Sequence, residues 1–278
     1  MRALKLRAEL VYLAPILASL IFGVFCTFLV LTSSMEIFAV TPFPENAAGS
    51  LGNATYFVIL VGTGAALFYL LLKWRSHRLI NAITGLAITL AIFMLSTIYA
   101  FSALSRFNNP YVEVLILTLA SLITVLADLA IFRSHSRVSE VIILCLGGAL
   151  GAFLGVSIAT LSTVLILAAL AIYDAFAVYY GLLGKIARDG LDQFRGLSFS
   201  FRDIQMGLGD LTFYSMLSGH MLLYFGLIPC LASMLGILLG CLLAFQMLKK
   251  REVFPGLPFP IFFGLILGFV AFLIPFLK

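Results

Sequence analysis

Apolar runs of about 17 to 25 residues, separated by short polar or basic joints, recur along the whole chain. A helix that crosses the hydrocarbon core of a bilayer needs about 20 such residues at 1.5 Å each. The runs fall near residues 10–31, 55–72, 79–101, 111–132, 138–155, 156–183, 206–225, 227–248 and 258–277, which predicts nine spans. Two of these boundaries are inferred. Residues 138–184 are too long for one span and are divided near Gly155, and residues 206–248 are divided near Gly226 to Pro229, where glycine and proline favour a turn. The fold class expected is all-α, a polytopic bundle of nine transmembrane helices. It divides into a six-span part (1–183), a loop (184–205) and a three-span part (206–278).

Composition supports this reading. The chain is 63% hydrophobic and only 10% charged, far from the balance of a soluble domain. A net charge of +5 does not point to nucleic acid, because the basic residues cluster at the ends of the apolar runs. With nine spans, Arg2, Lys5, Arg7, Lys73, Arg75, Arg78, Arg133, Arg137, Lys185, Arg188, Arg195, Arg202, Lys249, Lys250 and Arg251 share one side, and only Arg106 and Lys278 fall on the other. Basic loops stay in the cytoplasm, so the N-terminus is expected there and the C-terminus outside. The first apolar run is too long for a signal-peptide core and reads as a retained span. Cys26, Cys145, Cys230 and Cys241 all lie in apolar runs without a Cys-x-x-Cys pair, as buried small apolar residues do. The first outer loop, 32–54, reads as loose, and the loop 185–203, which mixes Asp189, Asp192 and Asp203 with basic residues, as solvated and flexible.

Two carboxylates interrupt the apolar pattern. Asp174 lies in the sixth run and Asp210 opens the seventh, on either side of the loop. A carboxylate at the centre of a span costs about 2.5–3.5 kcal/mol on insertion scales, so such a residue marks a functional site. Counted as helix from Lys185 and from Arg202, both lie roughly 11–16 Å from the loop, at one depth on antiparallel neighbours. Two carboxyls that meet cannot both ionise easily, and a pair sharing a proton supplies an acid and a base from identical side chains. No His-Glu-x-x-His or Gly-x-Ser-x-Gly motif offers a metal or a serine nucleophile, and no cofactor is implied. The same acids would also suit a proton-coupled transporter or a cation channel.

Three motifs fall in order on these spans. They are Tyr173-Asp174-x-x-Ala177-Val178; Gly207-Leu208-Gly209-Asp210-x-x-Phe213-Tyr214-Ser215; and Pro255-Gly256-Leu257-Pro258 followed by Phe263-Gly264-Leu265. Together they resemble the presenilin and signal peptide peptidase family of intramembrane aspartyl proteases, in the compact form of a microbial, archaeal-type presenilin homologue. The resemblance implies catalysis by Asp174 and Asp210. It implies that transmembrane-helix proteins are the substrates, and that Pro255, Gly256 and Leu257 form a substrate-positioning element, with Gly256 where the family usually has alanine. Around the acids, Tyr173 either donates a hydrogen bond or simply packs, while Gly207, Leu208 and Gly209 either admit a substrate backbone or serve helix packing. Prolines at 255, 258 and 260 exclude regular helix over 254–260, and irregular backbone at membrane depth must be buried or face water. Asp128 is expected to snorkel or pair with Arg133, His220 to be a satisfied packing residue, and Gly147, Gly151 and Gly155 to form a helix-packing face. Beyond substrate and bilayer, accessory subunits cannot be read from the sequence; a homo-oligomer is compatible with it.

Overall fold

In the computed structural model, residues 11–33, 39–74, 77–105, 111–133, 137–179, 198–201, 204–248 and 254–277 are described. Among them are nine α-helices: α1 (Leu13–Thr32), α2 (Ala47–Lys73), α3 (His77–Leu104), α4 (Val112–Asp128), α5 (Arg137–Ser157), α6 (Thr160–Tyr179), α7 (Leu208–Phe225), α8 (Leu227–Leu248) and α9 (Pro258–Leu273). Seven of them are long and apolar enough to cross a membrane, and α9 is a shorter apolar helix of 16 residues. The chain is an integral multi-pass membrane protein. Large apolar side chains such as Leu86, Leu90, Leu115 and Leu122 are exposed on the outer faces of α3 and α4, as lipid-facing residues should be.

The core is built around α7. Its Leu211, Tyr214, Met216, Leu217 and Met221 are fully buried, together with Ile16 and Leu20 of α1 and Ile237 of α8. What lets α7 sit so deep is the glycine face of α5. A Cβ at Gly147 would lie 2.9 Å from Cβ of Leu211, one at Gly151 2.6 Å from Cβ of Ser215, and one at Gly155 2.9 Å from the His220 nitrogen. Small residues let backbones touch in lipid, where apolar side chains gain little by meeting one another. The expected packing face is therefore present, and it carries the helix that bears Asp210. His220, also expected to be satisfied, fixes the C-terminal half of α7. Its Nδ1 donates to the Gly155 carbonyl (2.8 Å), leaving Nε2 to accept from the Thr160 hydroxyl (3.1 Å).

Several expectations are corrected. The break between the fifth and sixth spans lies at Ile158 and Ala159 rather than at Gly155, which stays helical because it packs against α7. The described part of the first outer loop is tied down. Phe43 exchanges two backbone hydrogen bonds with the buried Asn53 side chain (3.0 and 3.2 Å), Val40 N–H bonds the Ser157 carbonyl, and Asn46 caps α2 through Gly49 N–H. Asn53 also donates to Ser162 of α6, so buried polar groups reward an ordered loop. The loop before α7 is not wholly irregular: β1 (Ser198–Phe201) and β2 (Ile204–Gly207) form an antiparallel hairpin with Ser198 opposite Gly207. The rest of that loop, 180–197 and 202–203, lies outside the described residues. Asp128 accepts from Thr89 of α3 (2.8 Å) rather than pairing with Arg133. Of the proline-rich segment only 254–257 is non-helical. Pro258 and Pro260 open α9, where the first-turn amides need no partner inside the helix.

The α5–α7 contact sets a stability test. Gly151→Leu is expected to destabilise the detergent-solubilised protein by about 1–3 kcal/mol or more, the cost of overpacking. Gly64→Leu, at a position where a Cβ meets nothing within 4 Å, is expected to leave the thermal midpoint unchanged.

Candidate active site

Asp210 occupies the third position of α7, and its placement follows from how that helix starts. Gly207 ends β2 in extended conformation (φ −74°, ψ 145°) and is the N-cap. Asp210 follows in the first turn, its Oδ2 3.9 Å from a Cβ built at Gly207, which leaves the acid at the electropositive end of the helix. The depth count from sequence treated 202–210 as helix. In fact β2 carries the chain to Gly207 at about 3.3 Å per residue, so Asp210 lies in the first turn.

Asp174 lies toward the end of α6, where its side chain meets the stretch before α9. Its Oδ2 accepts the Leu257 N–H at 3.0 Å. The two acids are close enough to interact electrostatically, and each is half-buried. Gly256 lies directly against the other acid. A Cβ built there would be 2.9 Å from Asp210 Oδ2 and 3.1 Å from its Cγ. In this arrangement a methyl at residue 256 would require the Asp210 carboxyl to shift.

The remaining sequence candidates divide. Pro255 and Leu257 are buried beside the acids, and Gly207 and Gly209 are exposed at the mouth of α7, leaving bare backbone next to Asp210. Leu208 turns inward, with Cδ1 3.3 Å from a Cβ built at Gly147 of α5, and is a packing residue in this structure. Tyr173 packs on α2, its hydroxyl 3.6 Å from a Cβ built at Gly62. The Gly256 carbonyl accepts a bond from the Tyr214 hydroxyl at 2.8 Å while the next N–H is held by Asp174, so this peptide group is engaged within the protein rather than free for a substrate strand. Sequence reasoning gave Tyr214 no role; its spacing of four residues from Asp210, one helical turn, was the available signal.

A groove of about 440 Å³ opens between α6 and α9, lined by Ala168, Ile172, Phe176, Pro258, Phe262 and Leu265 among others; neither aspartate lines it, but Ala175 and Pro258 place it next to Asp174 and Leu257 along the chain. Its walls are almost wholly apolar. Among the described residues no cluster of His, Cys, Asp or Glu could hold a metal ion. The arrangement offers two interacting carboxyls, a neighbouring backbone held in irregular form, and a lipid-compatible approach.

No family sequence model and no curated protein matches this chain. Sixteen chains of solved structures do. One, a presenilin family intramembrane aspartate protease in space group C222, has a TM-score of 0.61 at 19% identity, over 92% of this chain and 98% of that one. Another, a presenilin family intramembrane aspartate protease in space group P2, has a TM-score of 0.66 at 21% identity, over 95% and 98%. The polytopic all-α fold of this chain is therefore the fold of those structures, along nearly its full length.

Proposed function

We propose that this chain is a presenilin-like intramembrane aspartyl endopeptidase that cuts the transmembrane helices of other membrane proteins. The observation that carries the reading is the convergence of Asp174 and Asp210 on one backbone segment, Gly256–Leu257, beside a groove that opens between two membrane helices. The fold shared with structures of a presenilin family protease supports it.

In the reaction proposed, a water bound between the carboxyls attacks the scissile carbonyl. One carboxylate takes the proton from water as the C–O bond forms, and the other, protonated, donates to the carbonyl oxygen. The C–N bond then breaks as a proton passes to the departing amine, and the shared proton is restored to the dyad. The pair acts as a unit, so neither acid is assigned a fixed role. A substrate helix would pack its apolar side chains against Ile172, Phe176, Phe262 and Leu265 and unwind next to Gly207 and Gly209, where no side chain blocks its backbone. The distribution of basic residues supports an orientation with the N-terminus cytoplasmic and the C-terminus outside. Single-span substrates with a cytoplasmic C-terminus, cut near their cytoplasmic ends, follow from it.

Purified protein incubated with a helical membrane substrate, with cut sites mapped by mass, tests the reading. Asp174→Asn and Asp210→Asn are each expected to lower turnover by about 10²- to 10⁴-fold or more, the range of general acid–base contributions. Robust cleavage by either variant contradicts the assignment, as does an intact substrate with aspartate-dependent proton or cation flux in liposomes. Gly256→Ala is expected to stay folded and lose about tenfold in kcat, because its methyl displaces the Asp210 carboxyl by a few tenths of an ångström and reacting groups tolerate little misplacement.

A further inference from the structure

The Gly256–Leu257 peptide group is gripped from both sides. Its carbonyl accepts the Tyr214 hydroxyl at 2.8 Å, and its N–H donates to Asp174 Oδ2 at 3.0 Å. Tyr214 stands one turn beyond Asp210 on α7, fully buried. One amide plane therefore joins the helix bearing Asp210 to the side chain of Asp174. The α-carbon on its N-terminal side is that of Gly256, where an added Cβ would come within 2.9 Å of Asp210 Oδ2. A hydrogen bond accepted at a carbonyl strengthens the donation from the N–H of the same amide, so the two bonds reinforce each other.

We propose that Tyr214 is a positioning residue that sets the geometry of the aspartate pair through this peptide. Its side chain is buried, and its hydroxyl acts on the acids through the peptide. By holding the Gly256 carbonyl it orients the Leu257 N–H toward Asp174 and keeps Gly256 seated against Asp210. Without the hydroxyl, the segment between α8 and α9 keeps its prolines but loses its anchor to α7, and the two acids lose their common reference. Ring packing alone would not do this, since a phenylalanine fills nearly the same space.

The proposal rests on the protease reading for its catalytic part, and Tyr214→Phe separates the two. The ring stays, so the variant is expected to fold with a thermal midpoint close to that of the unaltered protein. Two readouts are taken on purified full-length protein: steady-state cleavage of a helical substrate, and hydrogen exchange by mass spectrometry over the peptide containing residues 254–257. Expected are a kcat lower by about tenfold with KM within about twofold, and exchange in that peptide about five- to tenfold faster, as loss of one buried hydrogen bond gives. A purely structural role would move the thermal midpoint and KM together with kcat. Unchanged exchange overturns the tether whether or not the protein cuts anything, and faster exchange with unchanged kcat overturns its catalytic importance. If the unaltered protein cuts no helical substrate, the protease reading fails, while the exchange measurement still decides the tether.

Discussion

A backbone amide that leaves regular helix inside a membrane must find a partner, because no bulk water is there to supply one. In this protein that constraint falls on residues 254–257, just before α9, and it is met in part by Asp174. The Leu257 N–H donates to Asp174, and the Tyr214 hydroxyl donates to the Gly256 carbonyl. Pro255 and Pro258 lower the demand further, since neither has an amide hydrogen to satisfy. The irregular segment and the membrane carboxylate, each costly alone, stabilise one another. That mutual dependence is why the aspartates, the prolines and Tyr214 form one structural unit.

The unit is held in place by close helix packing rather than by the apolar effect, which is weak between surfaces already bathed in lipid. Glycines of α5 admit α7 to backbone contact, and on the other side Gly236 and Gly240 of α8 admit α9, where a Cβ at Gly240 would lie 2.5 Å from the Cα of Pro260. These contacts fix the starts of α7 and α9 relative to one another, so Asp210 and Gly256 meet. The far end of α7 is pinned through His220 to the α5–α6 junction, and the outer loop is drawn onto the same junction by Val40 and Asn53. The groove between α6 and α9 lies outside this tightly packed region. The scaffold therefore places its rigidity under Asp210 and its opening beside Asp174.

Much of this was legible in the chain because hydropathy alone counts spans. Nine apolar runs became nine helices, and Gly226 marked the turn between α7 and α8, where its φ of 94° suits only a residue without a side chain. The glycine spacing at 147, 151 and 155 announced the α5–α7 interface. Boundaries were less visible where the deciding interaction is distant in sequence. Gly155 looks like a break but is held helical by α7, and the outer loop looks loose until Asn53 and Ser162 are seen to meet across more than a hundred residues. The hairpin before α7 carries too short a pattern to stand out from a polar loop, and missing it misplaced the depth of Asp210. At the site, the residue types gave the pair of acids, but backbone donors have no sequence signature. The roles of the Leu257 amide and the Gly256 carbonyl, and hence of Tyr214, emerge only from coordinates. Tyr173, beside the acid in sequence, faces α2 instead, because adjacent helical residues point about 100° apart.

Everything proposed for the site rests on Asp174 and Asp210 sharing it in the resting protein, a condition that can be measured without assuming any activity. With Cys26, Cys145, Cys230 and Cys241 replaced by alanine, Asp174→Cys/Asp210→Cys protein is treated in membranes with the shortest bifunctional methanethiosulfonate reagent, and the cross-linked fraction is compared with that of Tyr173→Cys/Asp210→Cys. Rapid, near-complete linkage of the 174–210 pair with little linkage of the 173–210 pair is the expected result. Absence of linkage at 174–210, or equal linkage of both pairs, would mean that the two acids do not share a site.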